Sequence, residues 1–209
     1  MGCIMNKELE YFKIEDSYGG NQNWFSDYMM KMGGCAAVTA CDCSIYFSLY
    51  FGKNNMYPFS CDNISKKDYI EFSNIMKPYL RPRMNGIDTL DIFMNGYFDY
   101  MKDMGENNLY MKPLYGEESY DKAKNVVIQQ IENKYPIPCL ILHHKNSDFK
   151  EYVWHWFLLI GYKEYDDNMM VKTVTYGNYK WIDLKKLWNT GHERKGGLII
   201  FNQDEKLDK

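Results

Sequence analysis

The sequence has no long apolar run and no marked excess of charge of either sign. Its longest apolar stretch, from Trp156 to Ile160, has the length of a strand and is too short to cross a bilayer. The formal net charge is −3, with 25 basic and 28 acidic residues, and no basic cluster is larger than a pair of side chains. We therefore expect neither a membrane nor nucleic acid as a partner.

The cysteines also lack the spacing of a disulfide framework or of a zinc site. The six are Cys3, Cys35, Cys41, Cys43, Cys61 and Cys139. Cys41 and Cys43 form a lone C-x-C pair inside a predicted helix, without the second pair that a zinc site needs. We therefore predict reduced thiols, no metal and no cofactor. Reduced thiols, together with an N-terminus unlike a signal peptide, predict a cytoplasmic protein.

What the sequence does contain suits one globular domain of 209 residues, since 45% of them are hydrophobic and 17% aromatic. Residues before about Trp24 show no period and are predicted to be irregular. Helices dominate the part that follows. They are a buried helix from Cys35 to Phe51, a helix capped by Ser65 and closed by Pro78 and Pro82, a helix from about Asp88 to Met104, and a helix capped by Ser119 and stopped by Pro136.

Strands dominate the last third. They are Pro138–His143, Trp154–Tyr162, Met170–Tyr176, Tyr179–Ile182 and Gly197–Phe201, with a short helix capped by Asp183. The pair Gly177-Asn178 predicts a tight hairpin turn. The predicted fold class is α+β, with a mainly antiparallel sheet. We expect a single domain, 1–209, with a helical lobe at about 22–135, a sheet lobe at about 136–202 and a loose tail at 203–209.

The stretch Gly33-Gly34-Cys35 opens the buried helix and carries a candidate nucleophile. Its glycines permit a sharp turn and the close approach of a ligand. From there to Gly52 the only charged side chain is Asp42, which indicates a helix inside the domain. A cysteine in the first turn feels unpaired N–H groups and the positive end of the helix dipole, which favour a thiolate. The alternative interpretation of Cys35 is an inert packing residue.

A thiolate that attacks a carbonyl needs a base to hold the proton and return it to the leaving group. His155 stands at the start of an apolar strand, so a rigid element would aim it and aromatic neighbours would restrict water. The alternative is a hydrogen-bonded histidine without a function. The other histidines, His143, His144 and His192, lie in polar turns and are ranked below it.

This combination resembles the papain-like cysteine peptidases, especially a bacterial branch similar to bacteriocin-leader (double-glycine) peptidases. The resemblance rests on Gly33-Gly34-Cys35 opening the central helix, on His155 leading an apolar strand, and on the later stretch Val174-Thr175-Tyr176-Gly177. It covers about residues 22–202 at the level of layout. It implies a papain-like fold, with a helical N-terminal lobe and a sheet lobe, and the chemistry of a thiol protease or a related hydrolase.

In that family, the N–H group of the cysteine and an upstream glutamine form the oxyanion hole. The glutamine usually lies about six residues before the cysteine, where this chain has Met29. The resemblance therefore leaves Gln22 as the candidate for this role, with Asn23 and Asp27 as alternatives.

An Asn or Asp after the histidine strand orients the imidazole in the same family. Aligning Thr175-Tyr176-Gly177 with the family's Ser-Trp-Gly puts Val174 at that position, and valine cannot form the hydrogen bond. Thr175 is the candidate that remains, with Thr173 and Asp183 as alternatives.

The sequence thus predicts a thiol hydrolase or acyltransferase that acts on an amide or thioester carbonyl of a peptide or small acyl substrate. Cys35 would form an acyl-enzyme, with His155 as general base and acid. Hydrolysis and acyl transfer share this intermediate and stay open. The alternative is a non-catalytic papain-like fold that binds a peptide or small molecule. The substrate and the oligomeric state are also open.

Overall fold

The computed structural model describes residues 5–166 and 168–203, in which helices combine with a mostly antiparallel sheet. The helices are α1 (Tyr28–Gly33), α2 (Cys35–Phe51), α3 (Lys66–Met76), α4 (Leu90–Asp103), α5 (Tyr120–Glu132) and α6 (Leu184–Trp188). The strands are β1 (Met5–Glu8), β2 (Lys13–Ile14), β3 (Ser17–Tyr18), β4 (Tyr110–Tyr115), β5 (Ile137–Ile141), β6 (His155–Glu164), β7 (Met169–Thr175), β8 (Asn178–Asp183) and β9 (Gly197–Asn202). The predicted α+β class is confirmed.

Helix α2 is the buried helix that the sequence predicts. Every residue from Ala36 to Ser48 is buried, because small and apolar side chains leave it no polar face. The helix ends at Phe51, and Gly52 follows in the left-handed conformation (φ 66°) with its N–H bonded to the carbonyl oxygen of Phe47. Buried residues of α2 join one hydrophobic core cluster with those of the other helices and of the sheet.

Strand β6 is the longest strand and organises the sheet. The strand order is β4-β9-β5-β6-β7-β8, and β1 also pairs with β6. The first half of β6 pairs with β5, with Ile141 opposite His155, and its second half pairs with β1, with Glu8 opposite Gly161. On its other side β6 pairs with β7. His155 is therefore fixed on one side by its pairing with Ile141 of β5, and the pairing of β6 with β7 begins three residues later, at Leu158.

Predicted helix caps agree with the structure. The side chains of Ser65, Ser119 and Asp183 accept the N–H groups of residues three positions later, at the starts of α3, α5 and α6. Helix α4 starts close to the predicted position, and Thr89 is its N-cap. None of the helices in the described ranges has the length and apolar character of a membrane-spanning segment.

The sequence interpretation missed several elements. Strands β1, β2 and β3 lie in the region predicted to be irregular, because β1 is an edge strand with polar, exposed side chains and shows no apolar alternation. Strand β4 belongs to the main sheet although it falls within the predicted helical lobe. It contains Pro113, which is compatible with an edge strand but weakens the strand pattern. Apart from Gln203, the predicted tail lies outside the described residues.

Candidate functional site

One cavity brings together the residues that the sequence singles out. It has a volume of about 290 Å³, and Gln22, Cys35 and His155 all line it, together with Tyr176. Its walls come from the start of α2, the start of β6, the turn between β7 and β8, and the connection between α3 and α4. The fold therefore places the candidate nucleophile, base and oxyanion donor around a shared space.

A tight junction between α1 and α2 places Cys35. Helix α1 ends at Gly33, and Gly34 is the N-cap of α2. A methyl group on Gly34 would overlap the carbonyl oxygen of Met30, so only glycine permits this approach of the two helices. Cys35 is then the first residue of α2. Its sulfur lies at the backbone N–H groups of Ala36 and of Trp156, the residue after His155.

The prediction that Cys35 favours the thiolate form is wrong. The sequence interpretation expected the helix N-terminus to favour a thiolate, but burial raises the pKa of the Cys35 thiol above its ordinary value. The backbone N–H groups at the sulfur lower the pKa, although by less than burial raises it. Cys35 is therefore a neutral thiol at neutral pH, and a nucleophilic role requires a base to remove its proton during attack.

His155 is held in place by the tryptophans on either side of it. The indole N–H of Trp154 donates to the carbonyl oxygen of Asn85 at 3.2 Å, and that of Trp156 to the carbonyl oxygen of Ile87 at 2.6 Å. Only 4% of His155 is exposed, and burial lowers the pKa of its imidazole to about 4. The imidazole is thus neutral at pH 7, which is the form a general base requires.

The Thr175 hydroxyl is the polar group at one imidazole nitrogen. Its Oγ1 atom lies 2.6 Å from Nε2 of His155. The alternatives have other contacts, because Thr173 bonds Tyr152 and the carbonyl of Lys180, and Asp183 caps α6. Of the candidates that the sequence left open, the structure brings Thr175 to His155.

Tyr176 occupies the other side of the imidazole. Its ring stacks on His155 with 4.7 Å between centroids and 3° between planes, and its hydroxyl lies 3.5 Å from Nδ1. Because the rings are parallel, the hydroxyl lies above the imidazole plane, and the contact is a weak hydrogen bond. The described residues show no hydrogen bond between Nδ1 and the Cys35 sulfur. Tyr176 therefore covers the nitrogen that would serve the nucleophile.

Backbone strain accompanies this arrangement. Tyr176 and Gly177 form the turn between β7 and β8, with φ values of 51° and 75°, so the hairpin lies one residue earlier than predicted. Trp154, directly before His155, has a φ of 55°. Positive φ values are unfavourable for residues other than glycine, and such strain is concentrated at functional sites.

Gln22 lies at the edge of the cavity in a short 3-10 helix, Gln22–Trp24. Its side-chain N–H donates to the carbonyl oxygen of Lys31 at 3.2 Å, which leaves its second amide hydrogen available. The preceding residue, Asn21, donates to the carbonyl oxygen of Tyr176 at 2.9 Å. Asp27, an alternative, instead caps α1 and pairs with Lys77.

Residues 82–88, between α3 and α4, form another wall of the cavity, and no motif in the sequence indicated this role. Asp88 in this segment is ion-paired with Arg194 at 2.6 Å. Large apolar side chains that are exposed to solvent line the cavity in this segment, on α1 and directly before β6. They are Met29, Met32, Met84 and Trp154.

The remaining histidines and cysteines lie away from these contacts. His143 is exposed beside Trp154 and His192, and His144 bonds backbone groups with both ring nitrogens. All five cysteines within the described ranges are free thiols, and Cys3 lies outside these ranges. The same ranges contain no group of three or more metal-binding side chains.

Comparisons of the sequence with protein-family models and with curated proteins find no match. What the site does must therefore be inferred from its own residues.

Proposed function

We propose that the protein is a papain-like thiol enzyme in which Cys35 attacks an amide or thioester carbonyl and His155 transfers the proton. The observation that supports this most is the shared cavity, where Cys35 begins a buried helix and His155 begins a buried strand. The Thr175 hydroxyl at Nε2 occupies the orienting position that such a histidine needs.

The mechanism starts from a neutral pair. With the Nε2 proton donated to Thr175, the lone pair of His155 is on Nδ1. Once substrate binding breaks the weak contact of Nδ1 with the Tyr176 hydroxyl, Nδ1 accepts the Cys35 proton while the sulfur bonds to the carbonyl carbon. The N–H group of Cys35 and the amide of Gln22 would stabilise the resulting oxyanion. The imidazolium then returns the proton to the leaving amine or thiol, and a thioester with Cys35 remains. Water or an amine releases the acyl group by the reverse sequence.

The mouth of the cavity favours an apolar acyl part. Arg83 and Asn85 are exposed there, but the exposed apolar side chains are mostly methionines, which adapt to ligands of different shape, and clustered exposed apolar side chains mark binding sites. We therefore propose a peptide or small acyl substrate with an apolar group next to the reacting carbonyl. Hydrolysis and acyl transfer remain equal candidates.

Acylation of the protein by a series of small thioesters tests this proposal. Intact-mass spectrometry should show one acyl group on the wild-type protein and on the matched control Cys61→Ala, and none on Cys35→Ala. His155→Ala should slow acylation by about 100-fold or more, because it removes the general base. Equal acylation of Cys35 and Cys61 would contradict an activated thiol.

A non-catalytic binding protein is the second candidate. It is favoured by the weak contact of Nδ1 with Tyr176 and by the raised pKa of the Cys35 thiol. A binding protein would form no acyl adduct with any thioester, and it would bind a peptide or small molecule equally well after Cys35→Ala. In apo enzymes catalytic hydrogen bonds are often long, so the structure is compatible with both candidates.

A further inference from the structure

Asp42 is a buried carboxylate in the middle of α2, and no step of the proposed mechanism uses it. Only 3% of this residue is exposed. The Tyr69 hydroxyl donates to its Oδ1 and the Tyr11 hydroxyl to its Oδ2, both at 2.8 Å. The backbone N–H of Gly20 lies 3.1 Å from each oxygen. Within the described ranges no cation pairs with Asp42, so these donors alone offset the cost of burying its charge.

These donors hold a segment that runs along α2 to the nucleophile. Asp42 lies two helical turns from the nucleophile and on the same face, about 10 Å along the axis. The segment from Gly20 to Phe25 covers this distance. At one end Gly20 bonds Asp42, and at the other the Phe25 ring packs so close to Gly34 that an added Cβ would lie 3.1 Å from it. Gln22 lies between these two fixed points.

The segment is packed too tightly to shift at its Asp42 end. Gly19 has a φ of 74°, and a Cβ there would lie 2.6 Å from Oδ2 of Asp42. A Cβ on Gly20 would overlap the Tyr69 hydroxyl. The Tyr69 ring also contacts Phe25, with 6.3 Å between centroids. The bond between Asp42 and Tyr69 therefore links both ends of the segment.

We propose that Asp42 is a positioning residue for the oxyanion hole. Through Gly20 and Tyr69 it fixes the segment that carries Gln22, and so sets where the Gln22 amide lies relative to Cys35. An ionised carboxylate suits this task because it presents only acceptors to the donors around it. Asparagine would turn an N–H group towards Gly20 and one of the tyrosines. The inference rests on the proposed function, since it concerns the same reaction.

Two reactions of Cys35 separate this role from a general structural one. Acylation by a thioester passes through an oxyanion, whereas alkylation by iodoacetamide displaces iodide and forms none. Gln22→Ala should slow acylation by about 100-fold and leave alkylation unchanged. Asp42→Asn should slow acylation about 10- to 100-fold, again with unchanged alkylation, because it displaces the donor without removing it. The double variant should be no slower than Gln22→Ala.

Each alternative outcome has a distinct meaning. If the wild-type protein is acylated and Asp42→Asn is acylated at the same rate, the positioning role is overturned and the proposed function stays intact. The same holds if Asp42→Asn loses acylation and alkylation equally. A double variant whose losses multiply overturns it as well. Absence of acylation in the wild-type protein contradicts the proposed function and this inference together. Tyr11→Phe keeps the carboxylate and removes one donor, so it supplies the same test, with a smaller loss of acylation, if Asp42→Asn does not fold.

Discussion

The two walls of the cavity are built differently. One wall carries Cys35 and His155, at the starts of α2 and β6, with the Thr175 hydroxyl of β7 bonded to His155. The other consists of residues 82–88 and the exposed side of α1, and its Met84 is 99% exposed. The comparison indicates that the buried wall holds groups whose positions must not vary. The exposed wall presents side chains that can repack around a ligand.

The largest combined effect on folding and acylation should come from Gly34→Ala, which changes the buried wall at the junction of α1 and α2. The new methyl group would overlap a backbone oxygen, that of Met30, so the helices must separate. We expect a loss of about 3 kcal/mol in the free energy of unfolding, measured in urea, and loss of acylation. Gly33→Ala is the control. Its Cβ would lie 3.3 Å from Pro82 on the exposed wall. Equal losses of stability and acylation in the two variants would contradict the distinction between the two walls.

The pH dependence of stability should show two opposing contributions, one from His155 on the buried wall and one from Asp42 deeper in α2. Burial raises the pKa of Asp42 from 3.8 to about 6, so the folded state binds this proton more tightly and stability falls as pH rises from 4 to 6. Burial lowers the pKa of His155 from 6.5 to about 4, so its contribution rises over nearly the same interval. Each contribution is up to about 3 kcal/mol.

Matched variants separate these contributions. Relative to the wild-type protein, Asp42→Asn should gain stability as pH rises from 4 to 6, because only the His155 contribution remains. His155→Gln should lose stability over that range. Urea unfolding at a series of pH values measures both. Slopes of the same sign in the two variants would show that these groups are not buried in the folded protein as described.

Thr175→Val should produce an intermediate effect. Valine keeps the shape of the side chain but removes the hydroxyl at Nε2 of His155. We expect acylation of Cys35 to slow about tenfold, a cost typical of losing an orienting partner, with little change in the unfolding temperature. Thr175→Ser keeps the hydroxyl and should retain most of the rate. A similar loss in the serine variant would assign the effect to packing.

The smallest effect on stability should come from the exposed wall. Met84→Gln should change the free energy of unfolding by less than about 0.5 kcal/mol, because the side chain is fully exposed. The preference of acylation for octanoyl over acetyl thioesters should nevertheless fall. Leu140→Ala, on the buried wall of the same cavity, should cost about 2–5 kcal/mol. An unchanged chain-length preference in Met84→Gln would show that Met84 takes no part in recognition of the acyl group.

The same contrast explains what the sequence could predict. The buried helix from Cys35 to Phe51 and a strand at Trp154–Tyr162 follow from local apolar pattern. The helix is confirmed, and the strand is present with bounds His155–Glu164. The contact of Thr175 with His155 depends on the pairing of β6 with β7, which no local pattern specifies, so it was one of several alternatives. The role of residues 82–88 depends entirely on tertiary packing. The cytoplasmic location and the single-domain organisation stay predictions.

The ionisation of Cys35 shows a different limit. Helix position is visible in a sequence, but the amount of solvent around a sulfur atom is not, and here burial outweighs the helix dipole. Tyr176 is a second case, since its stacking on His155 follows from a turn one residue earlier than predicted.

The pairing of β1 with β6 has a consequence for how the chain acquires its fold. Glu8 and Gly161 are neighbours in the sheet although most of the chain separates them, so this contact closes a very large loop. During synthesis β1 emerges long before its partner and must wait with its backbone groups unpaired. Contacts of this kind form late and slow folding. Until β1 docks, the second half of β6 has an unpaired edge, at which nascent chains can associate.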